Sequence, residues 1–253
     1  LILVSTLSVD YVFAAITINP VNPRVPSNSS WFVYNSTDPG TTIEDQVYVF
    51  NPTDAPVKAK VYSVDALQIN GGGFALKDQY SPQIGVGKWV DLDTEIKLPP
   101  QSGETLDFEL NVPKNIAPGD YAGGIIAEIV PTDDGGENNV KIVSRIGARI
   151  YLNVTGEVVT DFKWNSFEYI KTDRSALKLT FSNGGNTTLT TNVEAELKNM
   201  FGATINVYKK NFPDLFPGES TDADIVLSDD DIPFMSILKA TAKVNYTQSS
   251  IAS

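Results

Sequence analysis

The sequence predicts an all-β protein, two Ig-like antiparallel β-sandwich domains in tandem. Three observations carry this: short runs alternate apolar and polar residues, clusters of Pro, Gly, Asn and Asp separate them, and the same grammar occurs twice. No stretch shows a sustained helical period.

Residues 1–15 stand apart from the rest. Leu1 to Val9 is a short apolar run closed by Asp10-Tyr11-Val12-Phe13-Ala14-Ala15. It resembles the hydrophobic core and small-residue end of a secretory signal, with Val12 where a small residue is preferred for a cut after Ala14. The run is too short to span a bilayer.

The first domain is expected over residues 16–156. Its strands are expected at Thr17–Asn19, Ser30–Tyr34, Ile43–Phe50, Val57–Val64, Trp89–Leu92, Thr105–Val112, Tyr121–Val130 and Lys141–Thr155. In the last of these, Val140, Ile142, Ile146, Ile150, Leu152 and Val154 share one face, and Lys141, Arg145, Arg149, Tyr151 and Asn153 the other. A period of two means one buried face, so Tyr151 is expected to point outward.

The second domain is expected over residues 157–248, with strands at Phe162–Tyr169, Leu177–Phe181, Leu189–Leu197, Ile205–Lys209, Ala223–Leu227 and Leu238–Tyr246. An internal echo links the halves. Val47 to Thr53 resembles Leu177 to Asn186, and Leu98-Pro99-Pro100 resembles Leu215-Phe216-Pro217. In each half an asparagine that tolerates a left-handed turn follows a strand, and a proline-led edge comes later. The joint at Gly156-Glu157 has no Gly/Ser-rich spacer, which restricts the relative orientation of the domains.

Composition excludes several functions. With 42% hydrophobic and 20% charged residues, the 253-residue chain can fill a folded core. It has no cysteine and no histidine, which removes disulfides, thiol nucleophiles, cysteine and histidine metal sites, and every triad built on histidine. No spacing singles out a carboxylate pair, so no catalytic residue, metal or cofactor is assigned. The net charge of −12 is spread over both halves without a basic patch, which argues against nucleic acid as a partner.

The segment Pro118-Gly119-Asp120-Tyr121-Ala122-Gly123-Gly124-Ile125, followed by Arg145-Ile146-Gly147-Ala148-Arg149-Ile150-Tyr151 and a closing Gly156, resembles the WxL-interacting surface proteins of Gram-positive-type envelopes. The resemblance covers roughly Ile16 to Gly156. It implies a peptidoglycan-binding first domain at the cell wall or cell surface, peptidoglycan or another wall glycan and WxL-type surface proteins as partners, and leaves room for a membrane anchor beyond Ser253. Pro118, Gly119, Asp120, Tyr121, Gly123, Gly124, Gly147 and Gly156 are read as mainly structural.

Arg145, Arg149, Tyr151 and Trp89 are the candidate ligand or partner contacts. The arginines and Tyr151 form an outward stripe for an anionic polymer, or pair across strands with carboxylates such as Glu128. Trp31, Trp89 and Trp164 offer a sugar-stacking platform or ordinary packing. The oxygen-rich stretches 133–139 and 229–231 suit solvated loop tips or calcium, without the EF-hand spacing. Asn28, Asn35, Asn153, Asn186 and Asn245 begin Asn-x-Ser/Thr triplets that are left unassigned. The expected function is non-catalytic envelope binding or scaffolding. Two alternatives stand beside it: an envelope chaperone or surface-assembly subunit acting by strand-edge pairing, and a carbohydrate-active enzyme using paired carboxylates.

Overall fold

The computed structural model describes residues 16–24, 30–131, 143–232 and 238–249. The expectations for residues 1–15, for Val140, Lys141 and Ile142, and for the loop 133–139 lie outside them. The fold is all-β, two tandem sandwiches of Ig-like topology.

In the first sandwich, β1 (Thr17–Pro20), β3 (Thr42–Asn51), β8 (Ser102–Asn111) and β6 (Val90–Asp91) form one sheet in the order β1-β3-β8-β6. The facing sheet runs β2 (Trp31–Thr37), β10 (Arg145–Val154), β9 (Gly119–Ile129) and β4 (Val57–Gln68), with β5 (Phe74–Leu76) and β7 (Asp93–Leu98) both paired to β4. All pairs are antiparallel except β2 with β10, which is parallel. The early chain thus borders both sheets, β1 in one and β2 in the other. Val47, Val49, Val61, Leu110, Ile125 and Ile150 meet in the core between the sheets, in keeping with strict alternation along their strands.

In the second sandwich, β11 (Phe162–Lys171), β12 (Ser175–Asn183) and β15 (Ser220–Val226) form one sheet. The other is β14 (Thr204–Leu215), β13 (Leu189–Asn199) and β16 (Leu238–Gln248), in that order. Leu179, Phe181, Leu189, Val193, Phe212 and Ala223 fill its core.

The echo between the halves has one geometric cause. Asn51, at the end of β3, donates through Nδ2 to the carbonyls of Ala55, Leu98 and Pro99 at 2.8, 3.2 and 3.0 Å, and its Oδ1 accepts the Thr53 N–H. Asn183, at the end of β12, donates to Thr187 and Leu215 carbonyls at 2.7 and 3.1 Å, and its Oδ1 accepts the Gly185 N–H. Both amides are buried. Each satisfies carbonyls of a turn and of the proline-led segment that would otherwise be orphaned.

Two local expectations are corrected, and two strands, β5 and β7, fall where none was expected. Trp89 ends a short helix, α1 (Val86–Trp89), and is not in a strand. The cause is Asp65: its buried carboxylate accepts the N–H groups of Ile84, Gly85 and Gly87 and draws in Lys77, which coils this segment against β4. The strand expected at Ile205–Lys209 runs on to Leu215 through Pro213, which β14 tolerates as an edge strand. The short strand β5 had no alternating pattern of its own to announce it.

Candidate functional site

The two sandwiches meet through hydrogen bonds from two places on the first. At the start of β9, the carboxylate of Asp120 accepts the Thr188 N–H at 2.6 Å, the Thr187 hydroxyl at 2.9 Å and the Asn153 amide at 2.7 Å. The Asp120 N–H donates to the Asn186 carbonyl at 2.8 Å, and Asn186 Nδ2 donates to the carbonyls of Pro118 and Glu157. Gly119 has φ of +132°, and a Cβ there would meet the Asn186 carbonyl oxygen at 2.2 Å. Only glycine allows the two backbones to approach this closely.

The second contact is the β4–β5 turn. Gly71 and Gly72 donate N–H groups to Thr221 Oγ1 at 3.0 and 3.2 Å, Gly71 also bonds the Asp222 carbonyl, and the Phe216 N–H donates to Gln68 Oε1 at 3.0 Å. A cleft of about 530 Å³ lies between the contacts, bordered by Lys77, Ile84, Tyr121, Phe216 and Pro217.

Between the domains stands an aromatic box around Arg149. Its guanidinium lies 4.9 Å from the Trp31 ring centroid and 4.6 Å from that of Phe74, and donates to Tyr151 Oη at 3.3 Å. Phe74 in turn meets Phe216 edge-on. Burial first, then the Asp214 charge, push the Tyr151 hydroxyl up to about 12, with Arg149 opposing. Burial holds the Asp214 carboxyl above the usual aspartate range, and the Arg149 charge pulls it back.

These positions revise the reading of the outward stripe. Tyr151 is on the face of β10 away from its own core, yet it is buried, at 7% exposure, because Trp31 and Phe74 cover it. Arg149 is half-buried in the same box. Arg145 is exposed, pairs in register with Glu128, and donates to the Lys77 carbonyl. Trp89 is buried against Tyr121 in the first core. The structure brings Arg149 and Tyr151 together and keeps Arg145 and Trp89 apart from them.

The glycine-rich motif falls on structural positions. Pro118, Gly119 and Asp120 are at the joint, and Gly156 is against Pro118. Tyr121 donates to the Ala117 carbonyl. Gly123 lies beneath Val86, and Gly124 and Gly147 beneath Leu76.

No group of three or more acidic or metal-binding side chains is placed to hold a metal ion among the described residues. Asp231, in the 229–231 stretch, accepts hydrogen bonds from Asn206 Nδ2 and the Tyr208 hydroxyl.

A different feature of the second domain was missed from the sequence. Strand β16 pairs with β13 on one side and with no described strand on the other. Its inward row, Leu238, Ala240, Ala242 and Val244, is only half-buried, and Tyr246, stacked on Phe162 at 4.8 Å, is 43% exposed. Across the gap, β11 leaves Phe162, Phe167 and Ile170 half-buried as well. The outward row of β16 carries the exposed Lys239 and Lys243. The available signal was the strand count: six runs for an Ig-type sandwich of seven.

No family pattern matches the sequence, and no curated protein is similar to it at a significant level. Among solved structures, the chain is similar to one from the chaperone–tip adhesin complex of CFA/I fimbriae biogenesis, at 14% identity, 89% of this chain, 98% of that chain and a TM-score of 0.41. It is also similar to the class 5 fimbriae chaperone CfaA, at 12% identity, 88% and 98% coverage and a TM-score of 0.38. A third is the CupB2 chaperone of Pseudomonas aeruginosa, at 12% identity, 85% and 97% coverage and a TM-score of 0.39. Likenesses at this level leave function to the geometry of this chain.

Proposed function

We propose that this protein is a non-catalytic scaffold of the cell envelope that holds a partner polypeptide by strand pairing. The observation that carries the reading is the open edge of β16, with a half-buried apolar row on one face and two lysines on the other. Unpaired N–H and C=O groups along an edge are a template for an added strand, and apolar pockets beside it select the side chains. The extensive contacts at the joint suit a scaffold, since they give that edge a fixed place relative to the first domain. The envelope setting rests on the signal-like residues 1–15 and on the resemblance to WxL-interacting proteins.

The same geometry weakens direct attachment to anionic wall polymers. The proposed stripe needs Arg149 and Tyr151 free, and both are engaged between Trp31 and Phe74. Trp89, the other aromatic contact, is committed to the first core.

A photo-crosslinking residue at Thr241, exposed on β16, tests the reading in the native host. The expected product is one discrete adduct with an envelope polypeptide, lost on Ala242→Lys, which points a charge into the apolar row. Sedimentation of the protein with insoluble wall material, with no polypeptide adduct, would reject strand pairing in favour of glycan binding.

A further inference from the structure

The two domains can be superimposed in topology through their buried asparagines. Val57 lies six residues after Asn51, as Leu189 does after Asn183, so β4 corresponds to β13 and β9 to β16. Ala59 pairs with Ile129 and Thr191 with Tyr246, which aligns Ile129 with Tyr246, Ala127 with Val244, and Ile125 with Ala242. The burial differs sharply. Ile125 and Ala127 have 0% exposure, whereas Ala242 and Val244 are half-buried and Tyr246 is exposed. In the first domain β10 runs antiparallel along the far side of β9 and adds Ala148, Ile150, Leu152 and Val154 to the core. No described strand takes that place beside β16.

Resting on the strand-pairing reading, we infer that the partner supplies the seventh strand of the second domain. It is an extended segment antiparallel to β16, apolar at alternate positions and acidic between them. The apolar positions follow from the half-buried rows of β16 and β11, which lie where β10 seals the first sandwich. The acidic positions follow from charge. In a chain of net charge −12, the edge strand itself presents Lys239 and Lys243. On β13, Lys198 stands opposite Lys239 but is bridged to Glu196 at 2.9 Å, and Glu194 stands opposite Lys243 but is bridged to Lys209 at 3.1 Å, so the two edge lysines remain as the net charge of the row. Edge lysines also oppose pairing of β16 with β16 of a second copy, which selects a different chain as occupant.

Two peptides test this on the 253-residue protein. One copies Arg145–Val154, the strand that fills the equivalent place in the first domain, and the other carries glutamate at both arginine positions. The glutamate peptide is expected to bind about fivefold more tightly at low salt, from two exposed charge contacts, with the difference lost at high salt. It should slow hydrogen exchange along β16 and leave β14 unchanged, and a spin label on its N-terminus should broaden signals near Thr247, as an antiparallel strand requires. Lys239→Glu with Lys243→Glu should reverse the preference, and because both side chains are exposed the fold should be kept. A parallel orientation, or equal affinity for the two peptides, overturns the inference. So does protein isolated from its host, free of partner, that takes neither peptide and already has β16 protected, because its own chain then fills the edge. If neither peptide binds while the Thr241 adduct persists, this strand geometry fails and the partner reading survives. If the peptide binds as described while no adduct forms, the partner reading fails instead.

Discussion

The carboxylate of Asp120, at the start of β9, accepts the backbone N–H of Thr188 at 2.6 Å across the boundary between the two sandwiches. The same side chain holds Thr187 and Asn153, so one residue of the motif Pro118-Gly119-Asp120-Tyr121 ties both domains to the strand beside it. Pro118, Gly119 and Asp120 of that motif therefore hold the joint between the domains.

Asp120→Ala is expected to cost about 2–4 kcal/mol, since hydrogen bonds to a charged group contribute about 1.5–3 kcal/mol each and three are lost together. Calorimetry should show one transition in the parent and two in the variant, as the domains uncouple. Gly119→Ala should do the same without removing any polar group, by pushing on the Asn186 carbonyl. A single, unshifted transition in both variants would show that the joint does not couple the domains.

Ile150→Asp should unfold the first domain, because an unpaired carboxylate placed at a core position costs several kcal/mol. Tyr151→Asp, one residue on and facing away, should also destabilise, by about 3–5 kcal/mol for loss of a buried aromatic. Tyr151→Phe should be mild, removing only the hydroxyl that Arg149 meets. Chemical denaturation followed by tryptophan fluorescence ranks the three. Full tolerance of Tyr151→Asp would mean that Trp31 and Phe74 do not cover this face.

What was legible in the sequence follows from how local each cause is. Alternation in β10 is a property of neighbouring residues, and it marked this strand and the core placement of Ile150, Leu152 and Val154, whereas Ile146, expected on the same buried face, lies at the strand's start and is 38% exposed. The buried asparagines were visible as an echo because their turns are formed within a few residues. Tyr151 was not legible, since alternation tells which face leaves its own core and says nothing of Trp31 and Phe74, which come from other strands to cover that face. Trp89 was misplaced because its helix is organised by Asp65, a carboxylate distant in sequence. The open edge of β16 was hidden for the same reason: Leu238 to Tyr246 alternates identically whether or not a neighbour is present.

Asp214→Asn should raise the melting temperature at neutral pH. Burial holds this carboxyl above the usual aspartate range, so the folded state binds more protons than the unfolded one just above the ordinary pKa of about 3.9. Its contribution to stability therefore falls as pH rises through the folded pKa and recovers on acidification. The gain from asparagine should shrink as pH drops toward that ordinary value. Asparagine also suits the positive φ of 49° at this position. Asp222 and Asp231 have lowered pKa values and lose stabilisation on acidification, but they do so in both proteins, so the difference between variant and parent isolates Asp214. A variant less stable than the parent at neutral pH would mean that the attraction to Arg149 outweighs the burial cost.

Asn51→Ala and Asn183→Ala should each destabilise their own domain by about 2–3 kcal/mol, because each leaves buried carbonyls without a donor. The carboxylate variants separate donation from packing. Aspartate keeps the shape and the oxygen that accepts the Thr53 or Gly185 N–H, but it places a second oxygen against the carbonyls of Leu98 and Pro99, or of Thr187 and Leu215. Asn51→Asp and Asn183→Asp are thus expected to be worse than the alanine variants near neutral pH and to recover as the carboxyl protonates. Calorimetry across pH reads both effects. Aspartate variants that match alanine at every pH would show that the turns are held by the chain path alone, without the amide donor.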